Sequence, residues 1–283
     1  MDVEFCDYGD IDKKVNDFYE NEYIKNHLKY YVLITDISVS DEIAEKINGA
    51  YSRNSWLLLD HHPTALELNK YDWYNVSVED ERTRLKTSGT EMLYRFLEKN
   101  RLIVSNKAIR RFVELVRNYD TWRWAKIKDG LICKQINDLM HLYGRDYFID
   151  WVLNQLELGT FPTLYSEDSM LLKINQSQIN EYIEDKNKSM LLTELCERSC
   201  GVVFADRYVS ELGNKLCTIH PEIDFVIMID VASCKVSYRS VKDDIKLGED
   251  IAAIFGGGGH PKTAGSEFPK DIQEKIFEMI FRK

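Results

Sequence analysis

Two short groups of polar residues come at the ends of apolar segments in the first part of the chain. The first apolar segment ends just before Asp36, and the second ends directly before Asp60-His61-His62. Such segments are typical of buried parallel strands, whose carboxyl ends meet along one crevice of an open sheet. Carboxylates and imidazoles at short range suit Mn²⁺, Mg²⁺ or a similar divalent ion such as Co²⁺, and paired ions can activate water and hold a phosphoryl group. The pattern predicts a metal site, although an isolated Asp after a strand is more often a turn former or a helix cap.

A second group, nearer the C-terminus, has residue types that suit an anion. Consecutive glycines at residues 256–259 precede His260, and such a run lets the backbone approach a ligand and offers N–H groups to it. Arg239 and Ser240 end a strand-like segment, and a guanidinium can hold a phosphate through its planar fork. A flexible loop and a solvated surface arginine are the plainer interpretations of these residues.

Alternating strands and helices must position the first group, and they predict an open α/β sheet. Ser88-Gly89-Thr90-Glu91 has the pattern of a capping box at the start of a helix. The expected strands are 3–6, 30–34 and 56–59, and the expected helices are 10–19, 40–48, one from 88, one from 105, and 148–158.

The pattern changes after a polar segment with apolar residues at helical spacing. The expected strands beyond it are 201–205, 225–229 and 234–238, and the expected helices are 248–255 and 271–281. We therefore predict an α/β protein with a parallel-sheet domain at residues 1–162, a helical connector at 163–190 and a smaller α/β domain at 191–283.

Composition narrows the classes of function. The formal net charge of −10 disfavours tight binding of long or duplex nucleic acid, but it allows a small phosphorylated substrate held by metal ions and a local basic pocket. No apolar run approaches the roughly 20 residues that a membrane-spanning helix needs. The six cysteines include no C-x-x-C pair, which indicates reduced thiols and a cytoplasmic location.

Taken in order, these groups resemble the DHH superfamily of phosphoesterases. The resemblance rests on Asp36, Asp60-His61-His62, Asp120 within Asn-Tyr-Asp, the segment around Arg239, and the glycine run. The C-terminal part resembles the DHH-associated substrate-binding domain. Within the superfamily the chain looks most like the NrnB-type oligoribonucleases, and RecJ-like exonucleases are more distant.

The resemblance implies a metal-dependent phosphodiesterase that hydrolyses short oligonucleotides to mononucleotides. It implies that Asp36 bridges two ions and that His61 and Asp120 ligate one of them, with Mn²⁺ expected before Mg²⁺ or Co²⁺. Asp60 and His62 take the catalytic roles. Asp60 supports the metal site without ligating an ion, and His62 faces the substrate phosphate or leaving group. The residues implied to bind the terminal nucleotide are Arg239, Ser240, Gly257, Gly258 and His260.

One element of the family pattern is not found. Family members begin with a strand that ends in a His-x-Asp-x-Asp segment, followed by a helix, and this chain starts near what resembles their second strand. Asp7 and Asp10 have the wrong spacing for that role. We therefore expect the first domain to lack its first strand and helix, hydrolysis to be impaired, and homo-oligomers to be possible through exposed sheet edges.

Two other functions stay open on the sequence. A related enzyme acting on a cyclic dinucleotide or a nucleoside bisphosphate would use the same residues. A non-catalytic nucleotide-binding remnant would keep the glycine-rich segment without the metal chemistry.

Overall fold

The computed structural model describes residues 2–7, 9–26, 29–48 and 55–282. The chain divides into two compact units, Met1–Leu172 and Lys173–Lys283. No helix in the described ranges is long and apolar enough to cross a membrane.

The sheet of the first unit is parallel and carries its polar residues at one edge. Its strands are β1 (Val32–Thr35), β2 (Trp56–Asp60) and β3 (Tyr74–Val76), in that order. Leu58 and Leu59 of the central strand are almost completely buried, as expected for a strand covered on both faces. Since β1 and β2 run in parallel, their carboxyl ends bring Asp36 and Asp60 to the same edge.

The first unit also contains helices, three of which form a second core. They are α1 (Ile11–Phe18), which continues through a π-helical turn (Tyr19–Tyr23) into α2 (Ile24–Asn26), then α3 (Asp41–Ile47), α4 (Gly89–Lys99), α5 (Lys107–Asp120), α6 (Leu131–Tyr143) and α7 (Arg145–Leu158). Ser88 caps α4 by accepting a hydrogen bond from the Glu91 N–H at 3.2 Å, which is the first half of the predicted capping box, whereas the Glu91 carboxylate accepts from Arg95 and Arg117. Leu115, Leu139 and Trp151 join α5, α6 and α7 in a buried cluster beside the cluster around the sheet.

The second unit has a mixed sheet. Helix α8 (Ser166–Lys188) contains the boundary between the units, and α9 (Val209–Ile219) and α10 (Ile272–Phe281) follow it. The strands are β4 (Leu191–Leu195), β5 (Arg198–Phe204), β6 (Phe225–Asp230), β7 (Lys235–Arg239), β8 (Gly258–His260) and β9 (Thr263–Glu267), in the order β4-β5-β6-β7-β9-β8. Leu212 and Leu216 of α9 pack on one face, and Leu247 and Ile251 pack on the other.

The α/β class predicted from the sequence is confirmed, and two local expectations are wrong. Residues 3–6 form no strand. The segment at 248–255 is a π-helical turn (Leu247–Ile251) followed by a 3₁₀ turn (Ala252–Phe255) rather than an α-helix. In addition, the last glycines and His260 form the edge strand β8, which the sequence did not predict. These segments are short, and neighbouring strands decide their conformation more than local propensity does.

Candidate functional site

Asp36 stands at the end of β1 in a conformation that L-residues seldom adopt. Its φ is +66°, while its N–H continues the sheet by donating to the Leu59 carbonyl at 2.9 Å. Asp is one of the few residues that tolerate the left-handed region. The side chain lies against Gly89, the first residue of α4, where a Cβ would be only 2.3 Å from Asp36 Oδ1. A glycine is therefore required for Asp36 to keep this position.

His61 lies between two carboxylates. Its Nε2 is 3.2 Å from Asp36 Oδ1 and 3.2 Å from Asp120 Oδ2. This nitrogen is buried, and within the described ranges no group meets it in hydrogen-bonding geometry. Burial acts to lower the pKa of His61, but the two carboxylates outweigh it and raise that pKa above its usual value. A buried ring nitrogen between carboxylates fits a shared divalent cation better than it fits an ordinary core histidine.

Asp120 is the last residue of α5, so its position depends on where that helix ends. Thr121 caps the end, with its hydroxyl donating to the Arg117 carbonyl at 2.8 Å. Burial raises the pKa of Asp120, and the charge of Asp36 acts in the same direction. A cation between Asp36 and Asp120 would offset both effects, because it stabilises the ionised carboxylates.

Asp60 is buried, and it organises the residues around it. Its Oδ1 accepts hydrogen bonds from the backbone N–H groups of His61 and His62, at 2.7 and 3.2 Å, and lies 2.7 Å from His62 Nδ1. Its Oδ2 accepts from the Ser38 hydroxyl at 2.6 Å. Burial acts to raise the pKa of Asp60, but the bonds from His62 and Ser38 outweigh it and hold that pKa below its usual value. Asp60 is therefore an ionised support whose oxygens are occupied by protein donors.

His62 can act in either of two ways. The ligand atoms of Asp36, His61 and His62 all lie within 4.8 Å of one another, which would let His62 join a metal site. Its ring is also about one-third exposed and lines a cavity of about 440 Å³ together with Ser38 and Asp60. With Nδ1 engaged by Asp60, proton transfer to a substrate would use Nε2.

In the second unit, Arg239 is partly buried and donates its hydrogen bonds to neutral oxygens. Its Nη1 donates to the Tyr238 carbonyl at 2.9 Å and its Nη2 to the Ser210 hydroxyl at 3.3 Å. Burial lowers the pKa of this guanidinium, and the charge of Glu211 offsets only part of that effect. The side chain crosses α9 at Gly213, where a Cβ would lie 2.5 Å from Arg239 Cγ. This arrangement suits an external anion.

Ser240 is used differently from the neighbouring arginine. It is buried, and its hydroxyl donates to the Asp224 carbonyl at 2.6 Å and accepts from the Lys242 N–H at 3.1 Å. These two hydrogen bonds hold the backbone that follows β7 in place. A direct contact with substrate stays a prediction.

Two of the four glycines in the run serve close backbone packing. A Cβ at Gly257 would lie 2.0 Å from the Gly265 carbonyl oxygen, and Gly259 has φ +144° against Ala264. Gly258, in contrast, has no atom within 4 Å of a built Cβ. It is exposed, as is His260. The exposed backbone of β8 is therefore the part of this segment that a ligand can approach.

Ser38 and Gly89 contact the candidate residues Asp60 and Asp36, and the sequence did not reveal either contact. Ser38 has no local pattern, and Gly89 was interpreted only as part of a helix cap. Two tryptophans follow Asp120 closely in the chain. Trp124 stacks on Tyr119 with ring centroids 6.2 Å apart, whereas the side chain of Trp122 is 44% exposed.

Comparison with known proteins places this geometry in context. No protein-family model matches the chain. The chain is 35% identical over 254 residues to oligoribonuclease NrnB of Bacillus subtilis, an alignment that covers 89% of this chain and 62% of NrnB. The resemblance to DHH phosphoesterases of the NrnB type is confirmed.

More distant matches are a sequence relative and a solved structure. The uncharacterized protein R106 of Acanthamoeba polyphaga mimivirus is 23% identical over 249 residues, covering 85% of this chain and 51% of R106. A solved DHH-domain structure, described as belonging to a family of ribosomal proteins, superposes with a TM-score of 0.54 at 14% identity, covering 98% of this chain and 74% of that one. This superposition supports a DHH fold. The chain spans between half and two thirds of the length of NrnB and R106.

Proposed function

We propose that the chain is a divalent-metal-dependent phosphodiesterase that hydrolyses short oligonucleotides to mononucleotides. One observation carries this proposal: the buried Nε2 of His61 lies between the carboxylates of Asp36 and Asp120 without a hydrogen bond in the described ranges. The 35% identity to a protein named as an oligoribonuclease supports the choice of substrate.

The metal ligands in this proposal are Asp36, His61 and Asp120, and the ion is Mn²⁺, with Mg²⁺ or Co²⁺ as alternatives. Carboxylate and imidazole ligands suit all of these ions. A divalent ion held there would polarise the phosphodiester and lower the pKa of an attacking water.

His62 supplies the proton that the leaving oxygen needs. Asp60 fixes its Nδ1 at 2.7 Å, which orients the ring and favours the protonated imidazole, and this hydrogen bond is the main cause of the raised pKa of His62. The cavity beside His62 offers space for the part of the substrate that departs.

The second unit binds the terminal nucleotide through Arg239, the backbone of Gly258 and His260, with Gly257 and Ser240 shaping the strands that carry them. The partly buried guanidinium, which donates to neutral oxygens, supports a phosphate at Arg239. The net charge of −10 fits a short substrate, because long nucleic acid needs many cationic contacts. Free cysteines throughout the chain fit a reducing, cytoplasmic location.

The test is hydrolysis of 5′-labelled oligonucleotides of two to five residues in Mn²⁺, with a longer strand and a cyclic dinucleotide for comparison. His61→Ala removes the central ligand, and His141→Ala is the matched control at an exposed position of α6. We expect metal-dependent turnover of the short substrates by the natural chain and by the control, and none by His61→Ala. Equal turnover by both histidine variants, or no Mn²⁺ binding by the natural chain in calorimetry, would contradict the proposal.

A further inference from the structure

A cluster of charged side chains links α4 to α5, apart from the candidate ligands. Glu91, in the first turn of α4, is buried, and its Oε1 accepts hydrogen bonds from Arg95 Nη2 at 2.8 Å and from Arg117 Nη1 at 3.0 Å. Arg95 lies on the same helix as Glu91, whereas Arg117 lies on α5. The contact between Glu91 and Arg117 is therefore an ion pair that bridges the two helices, and both side chains are at most 15% exposed.

Each of these helices contacts or carries one of the carboxylates around His61. Gly89, two residues before Glu91, packs directly on Asp36. Asp120 ends α5 three residues after Arg117. A change in the separation of the two helices at this level would therefore shift Asp120 relative to the surface on which Asp36 packs. His61 Nε2 lies between Asp36 and Asp120, 3.2 Å from an oxygen of each carboxylate.

The bridging pair is a poor source of stability. In the described part of the chain, Glu91 Oε2 and Arg117 Nε are buried without a hydrogen-bond partner. Moving two charges out of water carries a large desolvation cost, and a buried pair offsets it only when its remaining polar atoms are satisfied. Its directional contacts do, however, restrict how the two helices can shift against each other.

We propose that Glu91 and Arg117 are positioning residues that hold Asp36 and Asp120 at the separation a divalent ion requires. The inference rests on the proposed function, because it assumes that these carboxylates bind a metal. Glu91 and Arg117 act through the helices and do not touch the ion. Partners that orient metal ligands typically change metal affinity by about 10- to 100-fold when they are removed.

The experiment measures Mn²⁺ affinity by calorimetry in the absence of substrate. Glu91→Gln removes the charge at nearly constant shape, Arg117→Met removes the cation, and Arg117→Lys keeps the charge without the planar fork. Arg111→Met and Glu114→Gln are the matched controls, because Arg111 and Glu114 form a 2.9 Å ion pair within α5 that bridges no other helix. Circular dichroism during heating shows whether each variant folds.

We expect Glu91→Gln and Arg117→Met to weaken Mn²⁺ binding by about 10- to 100-fold, Arg117→Lys to weaken it less, and both controls to bind as the natural chain does. Natural affinity in folded Glu91→Gln and Arg117→Lys would overturn the inference and leave the metal site intact. Failure of all three variants to fold would identify the pair as a stability element and would also overturn it. If the natural chain binds no Mn²⁺, the proposed function fails, and this inference fails with it.

Discussion

The two candidate binding regions are built in opposite ways. In the first unit, the groups that can do chemistry are side chains at strand and helix ends, such as Asp36 and His61, which contact each other. In the second unit, the glycine run is held by backbone packing, with Gly257 against Gly265. Replacing a polar side chain at a strand end leaves the core intact, whereas adding an atom at a packed glycine displaces backbone. We therefore expect the first region to lose activity without losing stability, and the second to lose stability before any specific contact.

The largest effect should follow Asp36→Asn. Asn tolerates the positive φ as well as Asp does, so the fold should keep its stability, while the loss of a charged ligand should lower kcat/KM by about a thousandfold, equivalent to several kcal/mol. The measurement is dinucleotide hydrolysis in Mn²⁺ together with urea unfolding. A clear loss of unfolding free energy would show that the first region, like the second, contributes to the stability of the fold.

His62→Asn should produce a somewhat smaller loss that depends on the leaving group. General acid catalysis contributes about 10²- to 10⁴-fold when the leaving oxygen is a poor one, and little when it is a nitrophenolate. The comparison is between a dinucleotide and a nitrophenyl ester of a nucleotide, each measured with the natural chain and the variant. Equal losses on both substrates would argue that His62 binds the metal instead of donating a proton.

Gly257→Ala should destabilise the second unit by about 1–3 kcal/mol, because the new Cβ meets the Gly265 carbonyl and overpacks the sheet. Gly258→Ala is the matched control, since no atom lies within 4 Å of its Cβ position. Urea unfolding of both variants is the measurement. Similar unfolding free energies in the two variants would show that the run is not held by packing.

The smallest of these effects should come from Arg239→Lys. Lysine keeps the charge but loses the fork, so KM should rise about tenfold while kcat changes little. Steady-state kinetics with 5′-phosphorylated and unphosphorylated dinucleotides measures it. A fall in kcat with an unchanged KM would place Arg239 outside the binding of substrate.

Much of the first unit was readable from local patterns. The apolar runs before Asp36 and Asp60 predicted parallel strands, and the structure joins them in β1 and β2. The capping box predicted the start of α4, and Ser88 forms that hydrogen bond. These features depend on residues close together in the chain, so composition and spacing are enough to reveal them.

Other features of the structure left no recognisable pattern in the sequence, whether the contacts are local or distant. The hairpin between β4 and β5 turns at Cys196 and Glu197, both with positive φ, and neither residue is of the type that usually marks such a turn. The glycine run allowed either a ligand-binding backbone or a flexible loop, and the sequence did not predict that its end pairs with β9. The bridge between Glu91 and Arg117 spans 26 residues and has no sequence signal.

The sequence by itself indicated which residues are candidates for metal binding, where the strands β1, β2, β5, β6 and β7 lie, and that the chain resembles the DHH phosphoesterases. Spacing and residue type suffice for these conclusions, since strand ends and helix caps are local properties of the chain. Only the tertiary structure decided that His61 sits between two carboxylates, that both oxygens of Asp60 are engaged by protein donors, and that Gly89 must lack a side chain. Those facts depend on distances between segments far apart in sequence, and packing of the whole unit determines such distances.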